Sequence, residues 1–310
     1  MKTRSLRLSI GFPALACVVL AGAVPVAVLQ KSGQGIHVQT NLVTVLASVL
    51  DENGRPIPDL PKESFQLSEE GVPQVIDRFE AETNQPLELA LMVDTSLSTL
   101  KELKFEGEAA ARFIPQIVRP GDQLAVFQFS DDVAQLSEFS SNVSSLEAAA
   151  RKLNPGAGTV LYDALVLGSR ALTRLAANHR RVIVLVTDAG ETTSGYKFED
   201  ARRAAIASEA LIYTILIRPV KNESGRNTAG EHAIITITDS TGGAMYTLDS
   251  FDQLDAMFDR INRELRTQYL LGYYPHPTPP PATYRHIELQ VQGAKTIHAR
   301  KEYLTAKGPK

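Results

Sequence analysis

Asp94, Ser96 and Ser98 alternate along one short stretch that follows the apolar run Leu87 to Val93. A carboxylate and two hydroxyls leaving one turn offer three hard oxygen ligands. Two later segments bring more of the same chemistry. Thr159 ends the Gly156-Ala157-Gly158-Thr159 loop, and Asp188 ends Val184-Leu185-Val186-Thr187-Asp188. One aspartate, three hydroxyls and a second aspartate make an oxygen-only shell, which suits Mg²⁺, Mn²⁺ or Ca²⁺ rather than zinc. The scattered histidines and the single cysteine agree. Each segment also has a plainer reading. Asp94-Thr95-Ser96 could cap the helix that follows, Asp188 could open a turn, and Thr159 could cap a helix with Asp163 on its next turn.

These residues need elements that bring them to one place. Apolar runs at Leu87–Val93, Gln123–Phe129, Val182–Thr187 and Leu211–Ile217 read as fully buried strands, and Gly242-Gly243 leads into another at Ala244–Leu248. Phe105–Val118, Leu161–Leu175, Phe198–Ala210 and Phe251–Leu265 carry apolar residues at helical spacing. Strands alternating with helices predict an α/β fold: a doubly wound, mostly parallel, Rossmann-like sheet with helices on both faces. Ligands of such sheets lie at the carboxyl ends of the strands, where Asp94 and Asp188 both fall.

Residues 37–82 read instead as a small β-module, with turn signals at Asn53-Gly54 and Glu70-Gly71 and alternation at Phe65–Ser68 and Gln74–Phe79. The α/β region spans 86–268. β character returns over 269–305, where Tyr284–Val291 and Thr296–Tyr303 predict a hairpin around Gly293. These last strands are candidates to complete the N-terminal module. Tyr269, Tyr273 and Tyr274 could pack between the two parts or form an exposed contact patch.

Asp-x-Ser-x-Ser at Asp94–Ser98, the distant Thr159 and the later Thr187-Asp188 resemble the metal-ion-dependent adhesion site of von Willebrand factor type A domains. The flanks resemble those of bacterial exported proteins related to that family: Phe-x-x-x-Glu-x-Gly before the domain, and Gln268-Tyr269-Leu270-Leu271-Gly272-Tyr273-Tyr274 after it. The resemblance implies that Ser96, Ser98 and Thr159 coordinate the cation through hydroxyls, while Asp94 and Asp188 act largely through bound water. A cation held mainly by neutral hydroxyls keeps much of its charge and attracts an outside carboxylate. The implied function is a divalent-cation-dependent protein-binding module whose partner offers Asp or Glu. The polar loop Pro219–Glu231 follows a strand and belongs on the same face. Its Asn222, Ser224, Arg226 and Asn227 are candidate partner contacts, with a plain solvent loop as the alternative. Where the family often has Thr-Asp-Gly, this chain has Thr187-Asp188-Ala189-Gly190, a departure that bears on the loop's shape.

Residues 1–30 read as a signal peptide or a retained membrane anchor: Lys2, Arg4 and Arg7 precede the uncharged stretch Leu8–Leu29, with a cleavage signal at Ala21-Gly22-Ala23. The body is then exported. Cys17, the only cysteine, lies in this segment, so the body rests on its core without a disulfide. Net charge is −3 and becomes −6 (29 basic against 35 acidic residues) without the three N-terminal basic residues, which gives no reason to expect nucleic acid. The chain lacks Gly-x-Ser-x-Gly, His-Glu-x-x-His and a P-loop, and no histidine neighbours the three segments. A non-enzymatic module is therefore expected. A structural envelope protein with a vestigial metal site and a metal-assisted hydrolase are the alternatives.

Overall fold

The computed structural model describes residues 42–81, 84–96, 103–176, 178–218 and 228–306. The leader at 1–30 therefore lies outside the described residues. Among those described, no helix is long and apolar enough to cross a membrane.

The N-terminal strands are β1 (Val43–Leu50), β2 (Phe65–Glu69), β3 (Val72–Gln74) and β4 (Arg78–Glu80). The α/β region follows with β5 (Leu87–Asp94), α1 (Leu103–Ile117), β6 (Gln123–Phe129), β7 (Val133–Gln135), α2 (Val143–Ala150), α3 (Leu161–Thr173), β8 (Arg180–Thr187), α4 (Phe198–Ser208), β9 (Leu211–Ile217), α5 (Thr228–Thr241), β10 (Met245–Leu248) and α6 (Leu254–Arg266). The chain closes with β11 (Tyr269–Tyr273), β12 (Tyr284–Val291), β13 (Thr296–Ala299) and β14 (Glu302–Leu304).

The central sheet has the order β10-β9-β8-β5-β6-β7, parallel except for the antiparallel edge strand β7. Every residue of β5 is buried, as expected of a central strand covered on both faces. Its side chains alternate between two cores. Leu89, Leu91 and Val93 meet α1, α2 and α6, while Ala90 and Met92 meet α3, α4 and α5. This alternation is the two-residue period of a strand.

The topology fixes where a ligand crevice opens. From β5 the chain crosses through α1 to β6 on one side. From β8, the neighbour of β5 on its other side, it crosses through α4 to β9 and away. The two connections leave on opposite faces and in opposite directions. Beyond the carboxyl ends of β5 and β8 they leave the gap in which doubly wound sheets bind ligands.

The N- and C-terminal strands do combine, as two antiparallel sheets of order β13-β1-β11-β4 and β14-β12-β2-β3. Val45, Val49, Leu67, Tyr269, Leu271, Tyr273 and Ile287 fill the core between them. The hairpin expected around Gly293 forms only in part: the start of β12 pairs antiparallel with β14 and the rest of it with β2, whereas β13 pairs with β1 in the other sheet. The turn at Gly293, with φ of 81°, thus carries the chain from one sheet to the other. The stretch expected as one strand at Gln74–Phe79 is split between β3 and β4, which belong to different sheets. Tyr269 and Tyr273 are buried in this core, while Tyr274 is half exposed.

Candidate metal centre

Asp94 is the last residue of β5, and its carboxylate is buried rather than solvated. Oδ2 accepts a 2.6 Å hydrogen bond from the Thr187 hydroxyl at the end of β8, and Oδ1 accepts from the Ser96 backbone N–H at 3.0 Å. The first bond ties the two strands that flank the crevice. Thr187 is itself oriented by the Ala189 N–H, which donates to its Oγ1 at 3.0 Å. In the sequence Thr187 stands out only as the neighbour of Asp188. Its hydroxyl is in fact the group that holds Asp94. The Asp94 carboxyl is pushed up to about 6, first by burial and then by the nearby charge of Asp188, against the opposing hydrogen bond from Thr187. A buried anion with a raised pKa is a group whose charged form a bound cation would stabilise.

Thr159 reaches this point because its loop is anchored on several sides. The Gly156 N–H donates to the Thr95 carbonyl at 2.9 Å, fastening the loop to the end of β5. The Asp131 carboxylate accepts from the N–H groups of Ala157 and Gly158, both at 2.7 Å. The Thr159 N–H donates to Thr192 Oγ1 at 2.9 Å, and the Thr192 N–H returns a bond to the Thr159 carbonyl at 3.0 Å. The loops after β5, β6 and β8 are therefore one hydrogen-bonded unit. Asp131 was missed in the sequence. The signal was available, since it follows the predicted strand Gln123–Phe129 and so falls on the same carboxyl edge as Asp94 and Asp188.

The capping alternative for Thr159 does not hold. The residue before α3 is Val160, without a side-chain cap bond. The first turn of α3 is instead served from across the crevice. The Tyr162 N–H donates to Glu191 Oε2 at 3.2 Å and to Ser194 Oγ at 3.1 Å. Asp163 faces outward to accept from the N–H groups of Gly195 and Tyr196. The turn reading of Asp188 does hold, because its Oδ1 accepts from the Gly190 N–H at 2.9 Å. Ala189 adopts φ of 63°, the left-handed region that favours glycine, and its methyl is buried. The departure from Thr-Asp-Gly thus places alanine in a glycine-like conformation and leaves the loop in place.

Of the expected site residues, Asp94, Ser96, Thr159 and Asp188 share this crevice. Ser98 lies outside the described residues, as do Asn222, Ser224, Arg226 and Asn227. The expected loop Pro219–Glu231 is shorter than read, because α5 already begins at Thr228.

The donor set fits a hard divalent cation. The carboxylates of Asp94 and Asp188 and the hydroxyls of Ser96 and Thr159 offer oxygen alone, and among the described residues no group of three His, Cys, Asp or Glu side chains could hold a metal. The space between two of the donors is reserved by a glycine. A Cβ placed on Gly190 would lie 3.1 Å from Asp188 Oδ1 and 3.2 Å from Thr159 Oγ1. Gly190 is outside the left-handed region, so its backbone would accept alanine. Gly190→Ala is therefore expected to displace both oxygens by a few tenths of an ångström. It should weaken Mg²⁺ binding about three- to tenfold in calorimetric titration, with little change in the melting temperature of the cation-free protein.

Residues 89–191 match the model of the von Willebrand factor type A domain. The chain carries a von Willebrand factor type A domain. Solved structures with the same fold include a von Willebrand factor type A protein from Catenulispora acidiphila, 10% identical, covering 86% of this chain and 74% of that one at a TM-score of 0.51. The pilus adhesin SpaC from Lactobacillus rhamnosus GG is 10% identical, with a TM-score of 0.50. The match covers 84% of this chain but only 49% of the adhesin. The conserved hypothetical protein BatB from Bacteroides thetaiotaomicron is 18% identical over 57% of this chain and 98% of its own, at a TM-score of 0.46. No curated protein matches the sequence. At these identities the first two likenesses establish the fold alone. The first two extend past the type A domain into the flanking strands.

Proposed function

We propose that the protein is an exported, divalent-cation-dependent binding module that captures a carboxylate of a protein partner. The observation that carries this reading is the buried Asp94 carboxylate, tied across β5 and β8 by Thr187 and grouped with Ser96, Thr159 and Asp188 at the switch point of the sheet. Ser96, Ser98 and Thr159 would hold Mg²⁺, Mn²⁺ or Ca²⁺ through hydroxyls, with Asp94 and Asp188 acting largely through water. A hard cation so placed polarises an incoming oxygen and prefers an anionic one. The residues of this chain do the rest. Thr187 and the Ser96 N–H orient Asp94, and Asp131 and Thr192 fix the loop that presents Thr159. Asn222, Ser224, Arg226 and Asn227 would add partner contacts from the loop after β9. Export rests on the basic and apolar leader, and the type A domain together with the fold shared with a pilus adhesin favours a protein partner over a reaction.

The test is partner capture from envelope extract in Mg²⁺ with elution by chelator, repeated with Asp94→Ala. The module predicts elution by EDTA and loss of capture in the variant. Capture that survives both would favour a structural protein with a vestigial site. Without any partner, Mg²⁺ at about a hundred times its dissociation constant should stabilise the protein by about 2.7 kcal/mol. That corresponds to a rise in melting temperature of roughly 5–10 °C for a body of this size. No rise in Mg²⁺, Mn²⁺ or Ca²⁺ would refute the cation site.

A further inference from the structure

A second cavity opens at the opposite edge of the central sheet, where β5, β8 and β9 begin and the sandwich packs against the α/β body. It has a volume of about 210 Å³. Drug-sized ligands take roughly 300–1,000 Å³, so this one suits a smaller molecule. Its wall holds Arg78, Arg180, Arg181 and Arg300 against Glu209 and Glu302. This concentration of guanidinium groups stands out on a chain of net charge −3.

The carboxylates around the cavity each have a basic partner. Glu80 pairs with Arg78, Glu209 with Arg300, Glu302 with Arg202, and Glu88 with His179, which also lines the wall. Among the described residues no carboxylate lies within ion-pair distance of Arg180 or Arg181. Arg180 is buried and bonds neutral acceptors, the Gln85 and Leu265 carbonyls and Gln268. Arg181 gives one N–H to the Ser208 carbonyl at 3.0 Å, and its Nε is buried without a hydrogen-bond partner. Arg300 is more than nine-tenths buried and its Nε is likewise without a partner. Among the described residues its one carboxylate contact, Glu209 at 3.0 Å, comes from a largely exposed side chain at the left-handed C-cap of α4. Both guanidinium groups line the cavity and carry N–H groups beyond those given to Ser208 and Glu209, and an oxyanion is the ligand that engages them best.

We propose that this cavity binds a small doubly charged oxyanion between Arg181 of the α/β body and Arg300 of the sandwich. The ligand would brace the two parts from the face away from Asp94. Phosphate and short dicarboxylates share the required chemistry. The site does not depend on the cation reading.

The experiment is calorimetric titration of the whole protein with inorganic phosphate and, separately, with succinate. It is run in EDTA at constant ionic strength, with chloride as the control anion. Saturable one-site binding of either probe is expected, with each probe identifying its own geometry. Arg181→Gln and Arg300→Gln should each weaken it about tenfold or more, the usual loss for a charge-assisted contact. Glu209→Gln should tighten it about threefold by removing the competing carboxylate. Asp94→Asn should leave it unchanged. Because Arg300 is buried and its replacement can impair folding, the half-buried Arg181 decides the matter. The proposal is overturned by no saturable binding of either probe up to about 10 mM. Binding that is unaltered in Arg181→Gln overturns it equally.

Discussion

Asp94→Asn is expected to make the cation-free protein more stable at pH 7 by about 1–3 kcal/mol and to abolish its stabilisation by Mg²⁺. Burial sets the sign of this effect. The Asp94 carboxyl titrates at about 6 in the fold against an ordinary value of 3.8. A group whose folded pKa is raised contributes stability that is complete below its unfolded pKa and is lost as pH rises through its folded pKa. Above about pH 6, ionised Asp94 therefore costs the cation-free protein up to about 3 kcal/mol. Asparagine keeps the shape and carries no charge. Its Oδ1 can still accept from the Ser96 N–H, and its Nδ2 can donate to the Thr187 hydroxyl, at some loss against the original 2.6 Å bond.

The measurement is denaturant unfolding of both proteins in EDTA between pH 4 and 8. The advantage of the variant should be full at pH 7 and vanish as pH falls from about 6 to about 4, where the native carboxyl is also neutral. Equal stability at pH 7 would mean that Asp94 is not a charged group under strain. With Mg²⁺ in excess the order should reverse, because the cation stabilises only the carboxylate. Cation affinity of the native protein should likewise fall with pH below about 6, as protons compete for Asp94.

The division between what the sequence disclosed and what it hid follows from how local each signal is. Strands β5, β6, β8 and β9 read as continuous apolar runs because a parallel sheet buries both faces, and a residue ending such a run must emerge at the ligand edge. Asp94 and Asp188 were legible for that reason. Thr187 and Asp131 were not singled out because their roles depend on partners 93 and 26–27 residues away in the chain. Helix α5 was missed because its Ile-Ile-Thr-Ile-Thr stretch favours a strand locally. In the fold Ile234, Ile237, Thr238 and Thr241 are all buried, and tertiary packing outweighs the weak preference. The return of β character after Leu265 was visible, yet its assignment to sheets was not. Nothing near Gly293 says that Ile297 will pair with Val49 while Leu289 pairs with Leu67.

Glu69→Ala is expected to be the most damaging single change in the sandwich, lowering stability by about 3–5 kcal/mol. Glu69 ends β2 and is buried. Its Oε2 accepts from the Tyr273 hydroxyl at 2.8 Å and from the Tyr303 hydroxyl at 3.1 Å, while Oε1 accepts from Arg285 Nε at 2.8 Å. One carboxylate thus joins β2, β11, β12 and β14 across both sheets. Burial and the Glu69 charge hold both tyrosine hydroxyls well above their usual range, so they remain donors at any ordinary pH. Removing the carboxylate leaves two hydroxyls and a guanidinium without their acceptor, which costs more than the pair itself contributed. Glu69→Gln keeps one acceptor and should cost only about 1–2 kcal/mol. The comparison also separates stability from binding. Among the described residues the groups of the crevice all come from the α/β region, so Mg²⁺ affinity at a temperature where Glu69→Ala is folded should equal that of the native protein. A weakened affinity there would mean that the sandwich is coupled to the metal centre through the shared body.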